Sequence, residues 1–158
     1  SLQAKAQSTE NRNLGTFSRI HVAEGIVATL VSGNQAKAEI SVQGNVTTKE
    51  VLTEIRGNKL RVHLEDGRRY RRVKVRIKIT YKSLTAVYAS SAGSIKLKGN
   101  IDNLEEISVS SAGSIVADGV LKGQDVEIGA SSAGDFEGKV QANNIRISVS
   151  SSGGVMGE

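Results

Sequence analysis

The chain has 158 residues, with no cysteine, no proline, no tryptophan and only two phenylalanines. Its length suits one domain with a sizeable core, and the absence of cysteine excludes a disulfide framework and a thiolate metal site. The net charge of +5 is uneven, because residues 67–101 contain ten basic residues and no acidic one. Whether the charge is also uneven in space depends on which strand faces these bases occupy. No apolar run approaches the ~18 residues that span a membrane.

Residues 1–13 show no apolar period and are rich in Gln, Asn, Ser and charge. This composition predicts a flexible leader. It is too polar for a secretory signal, so an exported protein would have lost its signal upstream of Ser1. We expect a single domain over residues 14–158, with N-terminal strands in 14–83 and repeated units in 84–158.

From Phe17 onward, apolar residues alternate with polar ones, which predicts strands with one buried face. The alternating sets are Ile20 and Val22, then Val27, Thr29 and Val31, then Ala38, Ile40 and Val42. The segment 47–56 fits either a short helix or a strand, but Gly57-Asn58 and the alternation that follows favour a hairpin. The longest strand signal is the alternation from Val73 to Tyr81.

In the second half, a four-residue string occurs four times, with its glycines 20, 21 and 19 residues apart. The copies are Ser90-Ser91-Ala92-Gly93, Ser110-Ser111-Ala112-Gly113, Ser131-Ser132-Ala133-Gly134 and Ser150-Ser151-Ser152-Gly153. Such a period indicates that one small unit stacks on copies of itself.

Three further positions are apolar in every copy: six and four residues before the glycine, and two after it. They are Val87, Ile107, Ile128 and Ile147; Ala89, Val109, Ala130 and Val149; and Ile95, Ile115, Phe136 and Val155. The second serine and the glycine share the same parity, so one strand face is expected to hold all five positions. The predicted fold is all-β: a single-stranded parallel β-helix, or β-solenoid, with rungs of about 20 residues, preceded by irregular, hairpin-like strands.

Several segments resemble a known family, the putative autotransporter adhesins with a head GIN domain, found in secreted and cell-envelope proteins of Gram-negative bacteria. They are Phe17-Ser18-Arg19-Ile20-His21-Val22, Gly25-Ile26-Val27-Ala28-Thr29-Leu30, the strand from Val75 to Tyr81 with Leu84, and the Ser-Ser-Ala-Gly copies. The resemblance implies a pectate-lyase-like β-helix and a role in adhesion at the cell surface. It carries no catalytic residues to transfer.

The repeated serines fit either a hydroxyl-lined surface that binds glycan or small residues at a tight corner. A serine nucleophile is disfavoured because His21 and His63 lie outside the repeats, on the solvent-facing side of their strands. The repeated glycines indicate positive φ or close packing between rungs. No helix or Gly-x-x-x-x-Gly-Lys pattern follows them, so a phosphate cradle is disfavoured.

An alternative is a polysaccharide lyase or hydrolase on a β-helix, which needs two carboxylates that face each other. The candidates Asp118, Asp125 and Asp135 lie at unlike offsets in their copies. We therefore predict no catalytic residues, no cofactor and no metal site.

The basic segment is the sharpest chemical feature, and Arg72, Lys74, Arg76 and Lys78 are predicted to line one strand face. Such a row suits anionic glycan or lipid head groups. Few aromatic residues are near for base stacking, which argues against nucleic acid. The alternative is a solvated face whose charges discourage edge pairing.

Together these features predict a non-enzymatic adhesion or scaffold module of the cell envelope, in the periplasm or at the outer surface. Its expected partner is a surface glycan or protein receptor, and a processed lipid anchor would attach it to a membrane. An uncapped solenoid end exposes unpaired ladder groups, so a homo-oligomer through the solenoid ends is also expected.

Overall fold

The computed structural model describes residues 7–158, and over this range the chain is all-β. Thirteen strands belong to one sheet, with a single 3-10 turn at Thr48–Glu50. In these residues no helix is long and apolar enough to cross a membrane. The strands are β1 (Ser8–Asn13), β2 (Arg19–Val22), β3 (Val27–Ser32), β4 (Lys37–Gln43), β5 (Val51–Arg56), β6 (Lys59–Leu64), β7 (Lys74–Tyr81), β8 (Ala86–Ala89), β9 (Ser94–Leu97), β10 (Glu106–Val109), β11 (Ser114–Ala130), β12 (Asp135–Val149) and β13 (Gly154–Gly157).

Three strand pairs are antiparallel, all of them among β1 to β7, and the other pairs are parallel. β4 pairs antiparallel with β1 and β7, and β5 pairs antiparallel with β6. The hairpin predicted around Gly57-Asn58 is thus confirmed. β2 pairs in parallel with β6 and β8, and β3 with β7 and β9. The repeat then forms two parallel runs, β8–β10–β11–β12 and β9–β11–β12–β13, which share the long strands β11 and β12.

The aligned apolar positions of the copies stack on one another, as the sequence predicts. Ile107 lies opposite Val87 on one side and Ile128 on the other. The other two aligned sets stack in the same way. In the first three copies all nine of these side chains are at most 3% exposed, whereas Ile147 and Val149 in the fourth copy are 55% and 48% exposed. The apolar core therefore runs through three copies and is open at the fourth.

Each repeated string forms the same tight turn. In the first copy Ser91 and Ala92 have φ of 48° and 62°, and the Gly93 N–H donates to the Ser90 carbonyl oxygen at 2.8 Å. Two successive positive φ angles closed by such a bond are typical of a type I′ turn. Ser91 and its counterparts are exposed. The prediction that the second serine shares the buried face is wrong, because the turn interrupts the strand alternation.

The glycine that follows each turn is required by close packing against the backbone of the strand behind it. None of the four has positive φ. A Cβ on Gly134 would lie 2.6 Å from the Val109 carbonyl group. At Gly93, Gly113 and Gly153 a Cβ would lie 2.4 to 2.7 Å from a backbone oxygen of the strand behind. Of the two explanations that the sequence allowed, close packing is the correct one.

Two predictions for the N-terminal part are corrected. Residues 8–13, predicted as flexible leader, form β1 and pair with β4, while residues 1–6 lie outside the described range. In β3 the buried side chains are Ala28 and Leu30, and Val27 is 45% exposed. Apolar residues occupy both faces of this strand, so alternation alone could not identify the buried one.

Gly134→Ala is expected to lower the free energy of unfolding by about 1–3 kcal/mol, because a methyl group would overpack against a backbone that cannot move aside. Gly129→Ala is the matched control, since a Cβ there meets nothing within 4 Å. Urea titration followed by circular dichroism measures both variants. Equal stability of the two would contradict this account of the repeated glycines.

Candidate functional site

Three of the four basic side chains singled out by the sequence lie in one row on β7. Lys74, Arg76 and Lys78 are exposed, whereas Val75 and Ile77 between them are at most 5% exposed. Alternate residues of a strand point to the same face and are ~6.6 Å apart. The three cations therefore project together from the outer face of the sheet.

Arg72 stands beside this row rather than in it. It is exposed, precedes β7 and has a φ of 50°. A Cβ on Gly44 would lie 2.5 Å from the Arg72 carbonyl oxygen, so only glycine allows the two loops to approach. The prediction that all four bases line up along one strand is corrected, because the left-handed residue turns the chain just before β7 begins.

The row extends sideways across the sheet. Lys78 lies opposite Thr29 of β3, and Thr29 lies opposite Lys96 of β9. Two strand spacings separate the two lysines, which is about 9.6 Å. Arg76 lies opposite the exposed Val27. Parallel stacking thus brings a lysine that is distant in sequence to the edge of the same basic surface.

One carboxylate partly neutralises this surface. The Lys78 Nζ lies 3.7 Å from the Glu39 carboxylate of β4. Within residues 7–158, Lys74 and Arg76 have no carboxylate at ion-pair distance, and both remain available to an anion. We call Arg72, Lys74, Arg76 and Lys78 the basic face.

The outer face of the sheet changes sign away from β7. Beyond Lys96, the same lateral row continues through Val116 of β11 to Glu137 of β12. The neighbouring row reaches Asp135 of β12, which is also exposed. The uneven charge of the sequence is therefore uneven in space as well, with bases near β7 and acids near β12.

Arg68 belongs to the same acid-free stretch but has a structural role. It donates to the carboxylate of Glu50, which is 5% exposed, and to Asn45 Oδ1 at 2.8 Å. The same carboxylate accepts the Thr47 N–H at 2.9 Å. Burial raises the pKa of Glu50, but the bonds from Thr47 and Arg68 outweigh it and leave the pKa below its usual range.

A second polar cluster, which sequence reasoning missed, lies on the outer face of β2 and β8. The His21 Nε2 lies 2.6 Å from the Ser90 hydroxyl. The Tyr88 hydroxyl donates to Glu106 at 2.9 Å, and the Lys59 ammonium lies 4.3 Å from the centre of the Tyr88 ring. The sequence shows that His21 occupies a polar position of β2 and that Tyr88 and Ser90 occupy such positions in the first copy. Their proximity could not be predicted before the pairing of β2 with β8 was known.

The contact between His21 and Ser90 does not amount to a catalytic triad. Burial, and then the nearby Arg61 and Lys59, keep the pKa of His21 below its usual value. A base of this kind needs an acceptor on its other ring nitrogen, and the structure provides none among residues 7–158. Ser90 is also the only serine of the two repeated columns whose hydroxyl has a side-chain partner there.

The second histidine, His63, was predicted to face solvent, but it is only 8% exposed. Its Nε2 contacts the Glu54 carboxylate of the neighbouring strand. His63 shares its strand face with the exposed Arg61, so the burial is local to His63, which lies opposite Leu52 of β5.

The three aspartates do not form an opposed pair. Asp118 accepts the Gly99 N–H at 2.8 Å and lies 3.3 Å from Lys98, and these contacts lower its pKa. Asp125 accepts from Asn144 at 2.8 Å. In residues 7–158 no group of three or more His, Cys, Asp or Glu side chains could hold a metal ion.

Glu50→Gln is expected to destabilise the protein by about 1–3 kcal/mol at pH 7, because a charged acceptor of buried hydrogen bonds is lost. The folded pKa of Glu50 lies below the unfolded one, so its contribution is full above the unfolded pKa. It disappears as the pH falls through the folded pKa. The difference between wild type and variant should therefore shrink towards pH 3.

The matched control is Glu137→Gln, which removes an exposed carboxylate from β12. Urea titrations at pH 7 and pH 3 compare both variants with the wild type. A Glu50→Gln penalty that stays constant between the two pH values would contradict the assignment.

Comparison with known proteins supports a family assignment. Residues 16–103 and 100–158 match the family model described as "Putative auto-transporter adhesin, head GIN domain". No curated protein matches the chain.

Several solved structures share the fold. A putative lipid binding protein from Parabacteroides distasonis has 18% identity and a TM-score of 0.70, over 90% of this chain and 62% of that one. A putative adhesin from Parabacteroides merdae has 22% identity and a TM-score of 0.57, over 90% and 75% of the two chains. A putative adhesin from Bacteroides fragilis has 14% identity and a TM-score of 0.54, over 98% of each.

At such identities these structures establish the fold alone, and the chain spans less than two thirds of the P. distasonis protein. The family model, by contrast, covers nearly all of the described residues. The chain belongs to the family of putative auto-transporter adhesins with a head GIN domain.

Proposed function

We propose that this protein is a non-enzymatic surface module of the cell envelope whose basic face binds anionic oxygen groups. The observation that carries the proposal is the row of Lys74, Arg76 and Lys78 on the outer face of β7. Among the side chains of residues 7–158, Lys78 alone of the three has a carboxylate at ion-pair distance. A row of cations attracts a polyanion along its length. Sulfate or carboxylate groups of a glycan and phosphate groups of a lipid share this chemistry.

We also infer that the chain is a single-stranded parallel β-helix. In support, the copies pair in parallel and in register, with like residues in columns. The repeat of 19 to 21 residues and the recurring turn fit one rung per copy. In such a fold, side chains project at fixed intervals from a rigid ladder, which suits a surface that presents repeated charges.

A non-enzymatic role is favoured over a polysaccharide lyase or hydrolase. Asp118 and Asp125 are each held by a separate partner, whereas glycoside cleavage needs two opposed carboxylates. The names of the structural relatives are adhesin and lipid binding protein. An acidic polysaccharide cleaved by the purified chain, with loss of cleavage in Asp118→Asn, would favour the enzyme instead.

The family description supports a location in the cell envelope. There, the expected partners are a surface glycan or a protein receptor, with membrane attachment through a processed lipid anchor. The basic face would then act as the ligand-facing side of the module.

Replacing Arg72, Lys74, Arg76 and Lys78 together by Ser is expected to abolish retention on a heparin column at low salt. The wild type should be retained and should elute earlier as salt is raised, because bound counterions are released on binding. Elution salt concentration is the measurement.

The matched control replaces Lys49, Arg56, Arg61 and Lys122 by Ser, which removes the same charge from exposed positions outside β7 and β9. It should retain most of the affinity. Equal loss of heparin retention in the two quadruple variants would mean that binding depends on net charge alone, which would overturn the proposal. A glycan array and phosphatidylglycerol vesicles, run in parallel, distinguish glycan from lipid.

A further inference from the structure

A shallow groove of about 350 Å³ lies on the outer face of the sheet, where β7 runs between β3 and β4. It belongs to the basic face, since Arg76 and Lys78 form part of its lining. Its volume is at the lower end of the range for small-ligand sites, ~300–1,000 Å³. The groove therefore suits one compact group of a ligand. Its other outward side chains are Val27 and Thr29 of β3 and Glu39 and Ser41 of β4.

Strand register arranges the side chains of the groove in two lateral rows. One row holds Val27, Arg76 and Ser41, and the next holds Thr29, Lys78 and Glu39. The rows are ~6.6 Å apart, and neighbouring strands are ~4.8 Å apart. Two cations, one carboxylate and two hydroxyl groups thus face solvent within an area of about 7 Å by 10 Å. A sugar ring with its substituents covers an area of this size.

Glu39 is the one carboxylate of the groove, and it can accept hydrogen bonds from a ligand. Its side chain is 44% exposed, and the Lys78 Nζ lies 3.7 Å from its carboxylate oxygen. That distance permits an ion pair but is longer than a hydrogen bond. An ionised carboxylate offers about four acceptor positions, so a single lysine leaves most of them open to donors.

The neighbouring groups suit the other parts of an acidic sugar. Within residues 7–158 the Arg76 guanidinium has no carboxylate at ion-pair distance, and it can hold a carboxylate or sulfate group through two parallel hydrogen bonds. Ser41 accepts a hydrogen bond from Gln7, so its O–H remains free to donate. Val27 is 45% exposed beside Arg76 and offers apolar surface to the C–H groups of a ring.

Building on the anion-binding role proposed above, we propose that this groove binds one acidic sugar residue, whose anionic group lies on Arg76 and whose hydroxyl groups donate to Glu39. The ligand of the basic face is then an acidic glycan and not an anionic membrane. Glu39 determines this specificity. It repels a ligand that carries charge alone, because like charges brought together disfavour binding. It stabilises a ligand with hydroxyl groups beside its charge, because hydrogen bonds to a charged acceptor are the stronger ones.

Glu39→Ala tests the proposal, because charge alone predicts the opposite result. Removing a negative charge from a purely electrostatic surface would strengthen the binding of every anion. We expect the variant instead to bind a heparin hexasaccharide at least about 5-fold more weakly than the wild type, since a charged hydrogen-bond acceptor is lost. Polyphosphate, which has no sugar hydroxyl groups to donate, should bind the variant more tightly. Titration calorimetry at one fixed low salt concentration measures both affinities.

Glu137→Ala is the matched control, since it changes the net charge by the same amount. Glu137 is exposed on β12 in the same lateral row as Glu39. Five strand spacings separate the two residues, which is about 24 Å along the sheet. The control should bind the hexasaccharide within about 2-fold of the wild type, because solvent and salt screen charges at this distance. Both side chains reach solvent, so folding should persist in both variants, and circular dichroism checks this.

Hexasaccharide binding by Glu39→Ala that is as tight as that of the wild type, or tighter, would overturn the proposal. So would an equal weakening by Glu137→Ala. Binding of the wild type to phosphatidic acid vesicles that the hexasaccharide fails to displace would also overturn it, since the basic face would then be a membrane site. The anion-binding role itself fails separately, if the quadruple Ser variant of the basic face keeps its retention on heparin.

Discussion

The backbone of each repeat copy packs directly against the backbone of the copy behind it, and the rest of the molecule depends on that distance. A side chain as small as a methyl group at Gly113 would lie 2.7 Å from the Ala89 carbonyl oxygen. The preceding turn places a serine and an alanine at positive φ, at a cost of about 1–2 kcal/mol for each such residue. Hydrogen bonds between turns offset this cost: the Ala92 N–H donates to the Ser111 carbonyl oxygen at 3.0 Å, and the next two copies repeat the contact. A single strained turn would be unfavourable, but stacked turns stabilise one another.

This dependence explains which features the sequence predicts well. The columns of Val87, Ile107 and Ile128 were predictable because parallel, in-register stacking repeats each environment, so one residue type recurs at each position. The hairpin at Gly57-Asn58 was predictable from turn chemistry and alternation. The buried face of β3 and the strand in residues 8–13 were not. In both cases the deciding contact is with a strand far away in sequence, and local composition carries no trace of it.

The same limit applies to the candidate site. Alternation placed Lys74, Arg76 and Lys78 on one face, but it could not foresee the left-handed conformation of Arg72 or the close approach of Gly44 to its carbonyl oxygen. The continuous run of bases in the sequence is divided by the fold. Arg68 holds a buried carboxylate, whereas the strand residues face solvent. A run of basic residues in the sequence therefore suggests a larger ligand-binding surface than the fold provides. Parallel pairing adds one base that is distant in sequence, because it places Lys96 of β9 in the same lateral row as Lys78.

The two ends of the sheet differ for a reason that follows from strand direction. A parallel run offers the same unpaired edge after every copy, so it has no local means of stopping. An antiparallel strand brings a different sequence to the edge, as β1 and β5 do with charged residues and the hydrogen bonds from Arg12 to the Val51 and Thr48 carbonyl oxygens. Within residues 7–158, β12 continues the repeat pattern, and its apolar side chains Ile145, Ile147 and Val149 are exposed. The contrast between these edge strands thus follows from the direction in which each of them pairs.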